Sequence, residues 1–360
     1  MHTLLQDLRH LWKLKPAFRI ASVYLILWVV LSLFLPLLPL VYEPNSLDLN
    51  NIMQPPFQNN PSQPTHYLGT DAIGRDVLSN VLYGARTGFF IGVPVMLLAS
   101  VIGVILGAAA GYFGDAKLKS SKASIFALWP LTLFSLYFYG LYIPAQAATL
   151  QMPVATASIG MLIFILAGAF ILLRTLLNLI PSLKKQVTVP LDYIIVRLIE
   201  AVSSIPWLIL VLMLASFLQP SVTMLAFILI LTSWMGIARL ARAEMLRIKA
   251  LPYMEAATSL GLPTKRILLQ HALPNMLGPI LTSFTFGLAS LLTIESTLSF
   301  LGIGIPPTVV SWGRLITGIR SDTSAWWLVV FPGIFLAATV LALQVFNYYL
   351  LALSANKKKA

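Results

Sequence analysis

Cysteine is absent from this chain and charge is scarce: 10% of the residues are charged, and only 12 are acidic. The first absence excludes disulfides and thiolate metal sites, and leaves the redox compartment unread. The four histidines, His2, His10, His66 and His271, are scattered, and neither an HExxH nor a GxSxG pattern occurs. Zinc-hydrolase and serine-hydrolase constellations are therefore missing. No lysine follows a glycine, so there is no GxxxxGK phosphate loop and the chain does not hold ATP in that manner. Carboxylates inside apolar runs are almost absent as well. Glu295 is the sole case, which counts against coupling to an ion gradient.

Apolar surface is what the chain has in excess. Of its 360 residues 58% are hydrophobic, and the mean hydropathy is +0.86, the profile of a polytopic membrane protein. Mainly apolar runs cover Ile20–Val41, Gly88–Phe113, Ala123–Pro144, Val154–Ile180, Ile205–Leu218, Val222–Ile237, Leu277–Phe300 and Trp326–Leu353. A membrane-crossing helix needs about 20 such residues. The fifth and sixth runs are short, and Pro190–Ser204 and Ala238–Ala243 are expected to extend them helically. The runs are continuous rather than alternating, which speaks against a β-barrel. The expected fold is all-α, and the first run reads as an uncleaved span because no small-residue cleavage pattern ends it.

The net charge of +12 is sorted by side, which argues for a membrane rather than nucleic acid as its counterpart. With a cytoplasmic N-terminus, the inside segments hold 20 of the 24 Lys and Arg residues, leaving Arg75, Arg86, Arg314 and Arg320 outside. Both termini are then expected in the cytoplasm, the last as a basic tail, 354–360.

Along the chain, Tyr42–Thr87 is an irregular outside segment closed by HYLGTDAIGRDVLSNVLYGAR. Gly69 and Gly74 allow tight turns there, and Asp71, Arg75 and Asp76 form a candidate ion-paired knot. Two roles are open for it: positioning the entrance of the second span, or contacting substrate. Gly103, Gly107 and Gly111 share one helix face, expected to pack against another helix. Arg197 and Glu200 lie three apart before Pro206 and Trp207, adjacent on a helix that a kink follows. Counting from Leu277 puts Glu295 about 27 Å up its span, so it is either a functional intramembrane carboxylate or a hydrogen-bonded rim residue. Leu298–Ile316 reads as a packed or re-entrant loop, with Trp312, Trp326 and Trp327 suited to an interface belt.

The stretch Leu251–Asn275, LPYMEAATSLGLPTKRILLQHALPN, is a polar island. Pro252 opens a short helix, Gly261 closes it in a left-handed cap, and Pro263 and Thr264 start a second that is expected to stop before Pro274. Positive-inside sorting puts the island in the cytoplasm, and the missing phosphate loop suggests that it receives force from another chain.

This island resembles the EAA loop of binding-protein-dependent ABC importer permeases, through Glu255, Ala256, Ala257, Gly261, Leu273 and Pro274. LGTDAIGRDVLSNVLYGAR, LSFLGIGIPP with Ser311, Trp312 and Gly313, and Trp326, Trp327 with Phe331, Pro332 and Gly333 are similar to the dipeptide, oligopeptide and nickel branch, in its DppC/OppC-like subunits. Arg197, Glu200 and Pro206 also resemble that branch, with glutamate at a usual aspartate. The resemblance implies a type 1 permease core of six spans, 88–353 after an N-terminal region spanning 1–87, and here it carries an inserted helical hairpin within 115–190. It implies a bacterial inner-membrane subunit without enzymatic activity or cofactor of its own. The expected partners are two cytoplasmic ATPases that bind ATP, a second OppB/DppB-like permease, an extracytoplasmic solute-binding protein and membrane lipid, with no nucleic acid. Glu255 would contact the ATPase, the two alanines would allow close approach, and Gly261 would set the bend. An export or antimicrobial-peptide uptake system of the same build, a gradient-driven carrier and a noncatalytic membrane scaffold are the alternatives.

Overall fold

The computed structural model describes residues 11–58, 65–137, 166, 168–216 and 220–357. It divides into two compact units, residues 1–108 with 199–360, and residues 109–198. Among the described residues, five helices are long and apolar enough to cross a membrane, or six if one bent pair counts as a single span.

In the first unit, α1 (Pro16–Phe34) starts with proline in its first turn, where the missing N–H costs no hydrogen bond. The long α2 (Val77–Phe113) carries Pro94 inside. Ser221 Oγ accepts the Met224 N–H and so caps α7 (Val222–Lys249). A continuous helical stretch, Thr264–Phe300, includes α9 (Leu273–Phe300), and α11 (Trp327–Lys357) closes the chain with Pro332 inside. α9 packs on α7 and α11, and α11 packs on α1.

The fifth span, extended by Pro190–Ser204 and expected to kink at Pro206, is sharply bent. α5 (Leu191–Ser203) and α6 (Trp207–Ser216) meet at an angle of 81°. Pro206 has no N–H to donate and steers Ile205 away from helical geometry, so the helix cannot run through.

The second unit holds a two-stranded antiparallel ribbon, β1 (Lys119–Ser121) with β2 (Gln186–Thr188), pairing Lys119 with Thr188 and Ser121 with Gln186. α3 (Lys122–Tyr137) and a short apolar helix, α4 (Gly168–Leu177), belong to the stretch expected as an inserted hairpin. Most of the remainder of the runs Ala123–Pro144 and Val154–Ile180 lies outside the described residues.

Lipid tails are as apolar as leucine, so helices in a membrane associate through close packing rather than through expulsion of water. The small-residue face of α2 meets this demand. A Cβ at Gly103 would lie 2.7 Å from the Trp234 carbonyl oxygen, and one at Gly107 would collide with the Ala238 carbonyl. Met96, Leu225, Ile228, Leu229, Leu291 and Leu292 fill the core alongside. The outward Ile20, Ile105, Phe286 and Leu341 stay exposed, as lipid-facing or subunit-facing side chains do.

Gly107→Val therefore forces α2 away from α7, because the obstructing atoms are backbone and cannot yield. Overpacking of this kind costs about 1–3 kcal/mol, so the variant should melt at a lower temperature in detergent. Gly236→Ala, with open space around its Cβ, should melt like the parent. A parental melting curve for Gly107→Val would show that this contact does not limit stability.

Candidate functional site

The polar island begins where α7 ends. Leu251 is extended, Pro252 occupies the first turn of α8 (Pro252–Ser259), and Gly261 takes φ +70°. The Gly261 N–H donates to the Thr258 carbonyl (3.0 Å) and the Leu262 N–H to the Ala257 carbonyl (3.2 Å). That pair of bonds is a Schellman cap, and glycine is favoured because a Cβ is disfavoured at positive φ. Nothing lies within 4 Å of a Cβ built at Gly261, so the dihedral alone imposes the glycine.

The second half differs from expectation. No short helix stops before Pro274. A helical turn at Thr264–Arg266 passes into a π-turn, Ile267–Ala272, and then directly into α9. Proline cannot donate to the carbonyl four residues back, and its ring crowds that carbonyl. Widening the turn makes room for the ring, and the Leu273 N–H reaches the Leu268 carbonyl five residues back. The island is thus continuous with a span of 37 residues.

α8 presents two faces. Met254 and Ala257 are buried, and α8 packs on α7 and the π-turn. Glu255, Ala256, Leu260 and Gly261 are exposed, Leu260 at 80%, as is Pro274, while Leu273 is half-buried. Asn275 Nδ2 donates to the Tyr253 hydroxyl (3.1 Å) and to the His271 carbonyl (2.7 Å), tying α8 to the base of α9. Sequence reading passed over Tyr253, Met254 and Asn275; the spacing of Met254 and Ala257 was the available signal of an inward face.

At the other end of α9, Glu295 is only 2% exposed. It accepts the Ser299 hydroxyl at 2.7 Å and the Ser296 hydroxyl at 3.3 Å. Gly313, in α10 (Trp312–Ile316), lies so near that a Cβ would collide with the Ser296 carbonyl. Ile305, Val310, Trp312 and Leu315 are buried, so Leu298–Ile316 is a packed loop. Glu200 is exposed on α5, remote in sequence from both clusters.

The Asp71–Arg75–Asp76 stretch is a knot, with a different wiring from the expected one. Arg75 donates from Nε to Asp71 Oδ2 at 2.6 Å, and Asp71 Oδ1 accepts the N–H groups of Ile73 and Arg75. Asp76 turns away and caps α2 through the Ser79 N–H (2.7 Å), while its other oxygen meets His66 Nδ1 (2.9 Å). Beyond His66 lies Asp48, 3.4 Å from Nε2, and Tyr42 stacks on the imidazole at 4.0 Å. Asp48 and Tyr42 sit far upstream of the motif, so its spacing did not reveal them.

Three indoles bind this entrance. Trp327 Nε1 donates to the Thr70 carbonyl (3.0 Å), Trp312 to Val81 (2.9 Å) and Trp28 to Ala85 (3.1 Å). Trp312 and Trp327 are 2% and 4% exposed, so they belong to the packing and not to an interface belt; Trp326 stays exposed. A buried indole N–H needs a partner, and these three fasten α1, α10 and α11 to the start of α2.

Comparison with known proteins supplies the family context. Residues 186–353 match the family described as "Binding-protein-dependent transport system inner membrane component". The chain is 28% identical over 290 residues to the dipeptide transport system permease protein DppC of Bacillus subtilis, covering 80% of this chain and 68% of that protein. It is 25% identical over 344 residues to the protein of that name from Haemophilus influenzae, covering 95% and 91%. The oligopeptide transport system permease protein OppC of Bacillus subtilis is 24% identical over 327 residues, covering 91% and 81%.

The Asn51 side-chain amide holds the Asp48 carboxyl below its ordinary value of 3.8, burial opposes this, and the Asn50 N–H and His66 add to it. A depressed carboxyl stabilises the fold fully above its unfolded value, about 3.9, and that contribution is lost as pH falls through the lower folded value. Tryptophan fluorescence of the purified chain should therefore change in acid as the knot that Trp327 binds loosens. Asp48→Asn should remove that part of the pH dependence, and an identical acid profile in the variant would contradict the assignment.

Proposed function

We infer, from the match of residues 186–353 to the family of binding-protein-dependent transport system inner membrane components, that this chain belongs to that family and is the permease subunit of an ATP-driven importer of peptides or similar small solutes. It forms half of a translocation path, the other half coming from a second, related permease. Two cytoplasmic ATPases and an extracytoplasmic solute-binding protein complete the assembly in an inner membrane, with both termini of this chain in the cytoplasm. The permease domain is 88–353, interrupted by the insertion within 115–190, after an N-terminal region spanning 1–87 and before the tail 354–360.

One observation carries the coupling role: the exposed α8 is joined, across the Gly261 cap, to a helical stretch that runs without a stop through the span Thr264–Phe300. Glu255 offers a carboxylate there, Ala256 permits close approach, and Gly261 sets the angle. Ala257, whose side chain is turned inward, seats α8 on its own span, with Leu273 and Pro274 at the junction. ATPase closure pushes this handle, and the span turns the push into a change of access. Asp71, Arg75 and Asp76 hold the far end of the path, Glu295 pins the packed loop beside it, and Glu200 marks the approach to the bent pair.

Glu255→Lys reverses the charge on an exposed position, so insertion and folding should be unchanged. Solute uptake by cells or vesicles containing the full assembly should fall by at least tenfold, with ATP hydrolysis no longer stimulated by the loaded binding protein. Gentle purification should bring down Walker-motif ATPases and a second permease. Wild-type uptake by the variant would contradict the handle; copurification without ATPases would contradict the importer.

A further inference from the structure

The ribbon of the second unit gathers charge that the transport reading leaves unused. Gly114, at φ +58°, ends the α2 stretch and leads to β1; α3 starts at Lys122; the turn Pro181–Leu183 precedes β2; α5 starts at Leu191. Lys117, Lys119, Lys184 and Lys185 are exposed, and Lys122 is half-buried. The pairing brings them together: the Lys122 N–H donates to the Lys185 carbonyl (3.2 Å), and the Val189 N–H to the Leu118 carbonyl (2.8 Å).

The acidic residues of 114–122 and 181–192 are Asp115 and Asp192. Asp115 Oδ1 is engaged by the Tyr193 N–H at 2.9 Å. Lys117 Nζ lies over the Tyr112 ring at 5.1 Å, and among the described residues none of the five lysines joins an ion pair. Exposed apolar side chains flank the ribbon strands in sequence: Phe126 and Leu128 on α3, which follows β1 directly, Leu179 and Ile180 before β2, and Ile194 on α5 after it. Adjacent exposed lysine and exposed apolar surface is the pattern of a headgroup-level boundary.

We propose that the ribbon is an anionic-phospholipid site, whose lysines hold the headgroup phosphate while the apolar rim takes the acyl chains. A free phosphate shares the first interaction and not the second, and the apolar rim is the reason to assign the lipid. The inference concerns the second unit alone and stands whether or not the chain transports peptides.

The full chain, in nanodiscs of mixed phosphatidylcholine and phosphatidylglycerol, is released into mild detergent and its retained lipids are counted by native mass spectrometry. Each lysine near an anionic surface strengthens binding severalfold, so phosphatidylglycerol should be enriched by roughly tenfold or more over its bulk share. The quadruple variant K117Q/K119Q/K184Q/K185Q should lose that enrichment, and its all-arginine counterpart should keep it. The tail variant K357Q/K358Q/K359Q should behave as the parent, inorganic phosphate should not displace the lipid, and high salt should weaken retention. Equal retention of both lipids by the parent protein would overturn the proposal without recourse to any variant. So would undiminished enrichment in the glutamine variant, loss of enrichment in the tail variant, or displacement by inorganic phosphate.

Discussion

A peptide group inside hydrocarbon has to find its hydrogen-bond partner within the chain, because no water is present to supply one. The long helices of the first unit follow this rule, and among its described residues the backbone between them that is irregular or only briefly helical lies at 35–58, 65–76, 204–206, 220–221, 250–263 and 301–326. Even the accommodation of Pro274 follows the rule. A break there would strip carbonyls of their donors, whereas the π-turn at Ile267–Ala272 keeps the backbone bonded while making room for the ring.

That choice gives the molecule a mechanical character. With no stop before Pro274, the second half of the island and the span form one element of 37 residues, roughly 55 Å long at 1.5 Å per residue. Its two ends are anchored by different chemistry. At the base, Asn275 ties α9 to Tyr253, and the inward face of α8 sits on α7 and the π-turn. At the top, Glu295 gathers serine hydroxyls, and α10 crowds Ser296 closely enough to require Gly313. The indoles of Trp28, Trp312 and Trp327 then fix the entrance of α2 beside that end. Movement imposed on α8 has stiff, bonded material along the whole of this path.

Much of this was legible in sequence wherever the cause was local. Apolar runs announced the five long helices, four-residue glycine spacing announced the α2 face, and Gly261 announced a left-handed cap, which φ +70° bears out. Contacts between distant residues were not legible. The β1–β2 ribbon joins segments more than sixty residues apart, each only three residues long, too short to carry alternation. Asp48 and Tyr42 complete the entrance knot from outside its motif. Trp312 and Trp327 look like interface residues until their N–H partners, Val81 and Thr70, are known. Pro274 and Pro206 carry the same local signal, yet the chain passes the first by widening a turn and yields to the second with an 81° bend.

The proposed coupling role of 251–275 rests on one mechanical premise, that α8 and the base of α9 move as a single body. The cysteine-free background permits a direct test: a Tyr253→Cys, Asn275→Cys double variant joined by a short bifunctional thiol reagent, at the two positions now linked through a 3.1 Å hydrogen bond. Uptake by the reconstituted assembly is measured before and after cross-linking. Unchanged uptake in the locked protein is the predicted result. Loss of uptake on locking, restored when a cleavable cross-link is cut, would contradict it by showing that α8 must move relative to the span it stands on.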